Sequence, residues 1–67
     1  MTTTRYPEIE VQLTGTDGNA FSIIGKVTRE MNRFGIAPES VDEFTHEAMS
    51  GDYDHLLRTV MSWVEVS

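Results

Sequence analysis

The sequence predicts one small α+β domain in the order β-α-α-α-β, with the helices packed on one face of a short sheet that a second copy can complete. Three observations predict it. Polar and apolar residues alternate from Glu8 to Thr14; apolar residues then recur at three- and four-residue steps in three successive blocks; and glycine, proline or a capping residue bounds each block. Sixty-seven residues hold one hydrophobic core. Residues 1–67 are read as a single domain, with 1–7 as a flexible lead.

The first strand is expected over residues 8–14, where every second side chain from Ile9 onward is apolar and one face is therefore buried. Pro7 has no amide proton to give and is tolerated at a strand's start. Gly15-Thr-Asp-Gly-Asn19 turns the chain into a helix over 19–34, capped by Asp17 or Asn19 and stopped by Gly35. Its inward residues are expected to be Phe21, Ile24, Val27, Met31 and Phe34. A second helix follows over 38–49, with Pro38 in its first turn, a capping box of Ser40 and Glu43, and Val41, Phe44, Ala48 and Met49 facing the core. Gly51 ends it, and Asp52 caps a third helix over 52–62 that buries Tyr53, Leu56, Leu57, Val60 and Met61. The alternating run Trp63-Val-Glu-Val66 is expected to be a second strand, paired with residues 9–13 of this chain or of another copy.

The net charge of −6 is concentrated. Residues 38–54 hold Glu39, Asp42, Glu43, Glu47, Asp52 and Asp54 and no lysine or arginine. Nucleic-acid affinity comes mostly from neutralising phosphates, so duplex DNA or RNA is excluded as a partner. Glu39, Asp42, Glu43 and Glu47 form an expected acidic surface suited to a basic protein. No run of eighteen apolar residues is present to span a bilayer, and the lack of cysteine fits a reducing cytoplasm. A core this small is usually reinforced by disulfides, a metal or self-association. With no cysteine present, homo-oligomerisation is the expected reinforcement; Trp63 is expected either to close the core, the favoured role, or to anchor self-association.

Two clusters suit recognition. One is the strand-to-helix loop with Asp17 and Asn19, where free amides and a helix N-terminus can hold an anion; Lys26 lies on the helix that follows. The other is Ser50-Gly-Asp52-Tyr53-Asp-His55, with Arg58 one turn on. There a ring can stack, and polar groups, an imidazole among them, can hydrogen-bond. Each residue also has a structural role open to it, as cap, turn, core or i,i+4 partner. His46 and His55 match no metal-ligand spacing, and no nucleophile motif accompanies the serines, so neither a cofactor nor catalysis is expected.

The runs Leu13-Thr-Gly-Thr-Asp-Gly-Asn-Ala-Phe21 with Ile24-Gly-Lys-Val27, and Ser50-Gly-Asp-Tyr-Asp-His-Leu-Leu57 with Trp63-Val64, resemble small proteins encoded by bacteriophages and other bacterial mobile elements. The resemblance covers residues 8–66 and implies an action against host defence, with no catalytic residue carried over. The expectation is a non-enzymatic protein that binds a host defence protein through its acidic surface. Two alternatives stand beside it: an oligomeric sponge for a nucleotide signal, and a self-assembling structural protein.

Overall fold

The computed structural model describes residues 4–13 and 18–67 and has the expected order: strand β1 (Tyr6–Val11), helices α1 (Ala20–Arg33), α2 (Pro38–Ala48) and α3 (Tyr53–Trp63), and strand β2 (Val64–Val66). Thr14 and the turn through Asp17 lie outside the described residues.

The sheet is closed within one chain. β1 and β2 run parallel, with Val64 opposite Tyr6, Glu65 opposite Glu10 and Val66 opposite Val11. Pairing extends past both strands. The Ser67 amide donates to the Val11 carbonyl and the Leu13 amide to the Ser67 carbonyl, each at 3.1 Å, and the Arg5 amide donates to the Ser62 carbonyl at 3.0 Å. Strand pairing therefore begins before the expected start at Glu8. The register is irregular between Tyr6 and Glu10, the stretch that holds Pro7, whose missing N–H cannot join a ladder.

Helices cover one face of this sheet. Ile9 and Val11 are buried, while Glu8 and Glu10 stand exposed on the other face beside exposed Glu65. The core joins Ile9, Val11 and Val64 to Ile23, Val27 and Met31 of α1, Phe44 of α2, and Leu56, Val60 and Trp63 of α3. Trp63 ends α3 and is only 1% exposed, so of its two expected roles it takes the one in the core and is not a self-association anchor. Phe44 meets it edge-on at 5.7 Å between centroids and Tyr6 lies 6.0 Å away. The Arg5 guanidinium covers the remaining face, 3.9 Å from the ring centroid. A side chain so enclosed has no surface left to offer a second copy.

Local chemistry sets the helix ends. Asn19 caps α1, its side chain accepting from the Phe21 amide at 2.7 Å. At the other end the Ile36 amide donates to the Met31 carbonyl and the Gly35 amide to the Asn32 carbonyl. This paired closure requires a left-handed residue, and Gly35 supplies it with φ of 77°. α2 starts at Pro38 without a side-chain cap. Ser40 already lies inside the first turn, its amide donating to the Ala37 carbonyl, so the capping box with Glu43 is not formed.

Candidate functional site

The second cluster read from the sequence meets the described end of the first, at Gly18, at one end of the molecule. The Tyr53 hydroxyl donates to the Gly18 carbonyl at 2.6 Å, tying the start of α3 to the turn before α1 across 35 positions of chain. Between them lies an open groove of about 230 Å³, lined by Phe21 and Ile24 of α1, Ala48 and Met49 at the end of α2, and Asp52 and Tyr53 at the start of α3. The groove is mainly apolar, and its rim is exposed: Phe21 is 74%, Met49 57% and Tyr53 48% accessible. Phe21, Met49 and Tyr53 were expected in the core. Their helices turn Ile23, Phe44 and Leu56 inward instead and leave these three in water.

Most polar residues of the corner have structural work. The Asp52 side chain accepts from the His55 amide at 2.9 Å and caps α3. His55 Nε2 lies 2.8 Å from the Glu47 carbonyl oxygen near the end of α2. A carbonyl can only accept, so Nε2 carries the ring proton and His55 binds one helix end to the next. Ser50 Oγ lies 3.1 Å from the same nitrogen and donates to the same carbonyl at 2.7 Å. This serine and histidine look like a nucleophile and its base, but the nitrogen facing the hydroxyl is a donor. It has no lone pair with which to take the serine proton.

The cations sit elsewhere. Arg58 pairs with Asp54 at 2.7 Å, and neither Arg58 nor Lys26 lines the groove. Among the described residues Asp52 is the only charged one in its lining. Among the described residues no group of three or more His, Cys, Asp or Glu side chains is placed to hold a metal ion.

The acidic face of α2 divides in two. Glu43 pairs with Arg5 at 3.4 Å, and the Trp63 indole N–H approaches Glu47 Oε2 at 3.5 Å, so this side is tied to the fold. The acidic block is thus not without cations, as it looks in the sequence: Arg5 reaches Glu43 from just before β1 and Arg58 reaches Asp54 from the next turn. Glu39 and Asp42 have no ion-pair partner among the described residues. They are exposed on a row that continues through His46 to Met49 at the groove, at the three- and four-residue steps of one helix face. The groove and these carboxylates form one continuous surface, apolar at one end and anionic at the other.

Removing the Tyr53 hydroxyl tests the tie across the groove. Tyr53→Phe is expected to cost about 1 kcal/mol, the usual worth of one such hydrogen bond. It should also raise amide exchange at Gly18 and Asn19, seen by NMR, while the far sheet is unaffected. Unchanged exchange there would mean that the bond does not order the turn.

Comparison with protein-family models, curated proteins and solved structures gave no match. No helix among the described residues is long and apolar enough to cross a membrane.

Proposed function

We propose that this chain is a non-enzymatic binding protein that takes a protein partner on the surface running from the Phe21–Met49–Tyr53 groove to Glu39 and Asp42, and that the partner is a host defence protein opposed by a phage-type protein. One observation carries the reading: three large, exposed apolar side chains ring an open groove, and two carboxylates without an ion-pair partner among the described residues continue the same row of α2 away from it. Burying one such side chain contributes about 1.5–3 kcal/mol, so the rim can anchor a partner. Asp42 and Glu39 then select for lysine or arginine beside the partner's apolar anchor.

The nucleotide sponge is less well supported, because the groove presents a carboxylate and no cation to a phosphate. The test is affinity capture from a bacterial host lysate, run in parallel with Phe21→Ser, Asp42→Lys and, as a control on the opposite face, Glu65→Lys. The expected result is a captured protein that is lost with the first two variants and at about 0.5 M salt, but kept by the control. Capture unchanged by Phe21→Ser and Asp42→Lys would overturn the reading. So would a nucleotide released on denaturation from the wild-type protein but not from Tyr53→Ala.

A further inference from the structure

α1 carries on its own exposed side the chemistry that this surface selects for. Phe21, Gly25, Arg29 and Arg33 follow one another at four-residue steps, and all four are exposed. They form one ridge, aromatic at its start and cationic at its end. Arg29 has no ion-pair partner among the described residues, and Arg33 makes only a long contact of 3.8 Å with Glu30. Gly25 is the odd member. A glycine inside a helix costs about 1 kcal/mol relative to alanine, yet a Cβ placed there would meet nothing within 4 Å. No packing among the described residues calls for it. A bare backbone on an exposed ridge suits the close approach of another helix.

The spacing fits this chain's own α2. α1 and α2 are joined by a short connection and run antiparallel, since the beginning of α1 and the end of α2 line the same groove. From Phe21 to Arg29 is about 12 Å of helix and to Arg33 about 18 Å. From Met49 back to Asp42 is about 10.5 Å and to Glu39 about 15 Å. An α1 laid antiparallel on α2 therefore brings an aromatic side chain to the groove as its two arginines reach the two free carboxylates.

Within one chain α1 cannot do this, because its other face is in the core. A second copy can. Rotation about a two-fold axis along the helices sets each α1 against the other copy's α2 and satisfies both surfaces at once, as an isologous interface requires. From this match we infer that a second copy of this chain docks on the recognition surface, α1 against α2, so that a homodimer is the closed form from which a partner must displace one copy. The inference rests on reading the groove and the α2 row as one binding surface. The net charge of −6 on each copy repels at long range. At physiological salt that repulsion is screened beyond about 8 Å, whereas contact pairs across the interface are screened much less.

Sedimentation velocity over a concentration series, from low to several hundred micromolar, tests it on the full chain. A reversible monomer–dimer equilibrium is expected. Phe21→Ser and Gly25→Leu alter exposed positions away from the core, and each should weaken the dimer about tenfold or more. Arg29→Asp and Asp42→Arg should each weaken it too, and the double variant should restore much of it, because both members of each cross-copy Arg29–Asp42 pair are then reversed. Circular dichroism confirms that each variant is folded. A folded protein that stays monomeric throughout the series overturns the inference but leaves the partner reading to its own capture experiment. A dimer indifferent to Phe21→Ser, or a charge swap without recovery, overturns it as well, since the contact would then lie elsewhere.

Discussion

Trp63→Ala is expected to leave little folded protein at room temperature. Trp63 is the largest fully buried side chain, and it is where β1, α2 and α3 meet: Tyr6 and Phe44 pack on its ring and Arg5 lies across it. Deleting a buried tryptophan costs about 3–5 kcal/mol in lost burial and residual cavity. A chain of this length has roughly 3–10 kcal/mol in total, so the loss is comparable to the whole margin. The Arg5 stacking, worth about 0.5–1 kcal/mol at a partly exposed site, goes with it. Urea titration followed by far-ultraviolet circular dichroism reads the effect, with Trp63→Phe as the milder comparison. A shift below 1 kcal/mol would show that Tyr6 and Phe44 collapse into the space and that the ring is not the keystone argued for here.

The second large effect is expected at Gly51. An alanine methyl there would lie 2.7–2.9 Å from Cγ, Cβ and Cδ2 of His55, closer than carbon atoms approach in folded proteins. Cβ and the imidazole must move together, which breaks the ring's hydrogen bond to the Glu47 carbonyl and its contact with Ser50. Overpacking of this kind costs about 1–3 kcal/mol, and the stranded carbonyl adds to it. The signature lies in the coupling. Because Cβ of His55 is among the obstructing atoms, glycine is the informative second change: if this side chain is the obstacle, adding His55→Gly to Gly51→Ala should cost much less than His55→Gly costs in the wild-type background. Strict additivity in a double-mutant cycle would mean that Gly51 is needed for some other reason.

Much of the fold was legible because its local signals agree. Asn19, Gly35, Pro38 and Asp52 mark helix ends in the sequence, and the structure uses each of them in that way. Periodicity was less decisive about faces. In α1 the stripe through Ile23, Val27 and Met31 competes with one through Phe21 and Ile24, and counting apolar residues favours the second because Phe is large. The structure buries the first. Exposed Phe21, Met49 and Tyr53 defeat the same rule, since a side chain at the rim of a groove follows the helical spacing of a core residue. The meeting of Gly18 with Tyr53, and of Arg5 with Glu43, depends on how helices stack and strands pair, which no local pattern encodes. Of the candidate residues read from the sequence, Asp52 and Tyr53 line the groove, whereas Phe21 and Met49 of its exposed rim read in the sequence as core. Asp17 lies outside the described residues, and Lys26 and Arg58 lie away from the groove.

The parallel union of β1 with β2 also bears on the order in which the molecule forms. The helices rest on neighbours close in sequence, whereas this ladder joins residues nearly the full chain apart and must overcome the entropy of closing that loop. A transition state assembled from α1, α2 and α3 reaches the native state only when Val64 to Val66 zip onto β1. Lesions at that seam would then leave the folding rate nearly untouched and shorten the lifetime of the folded form.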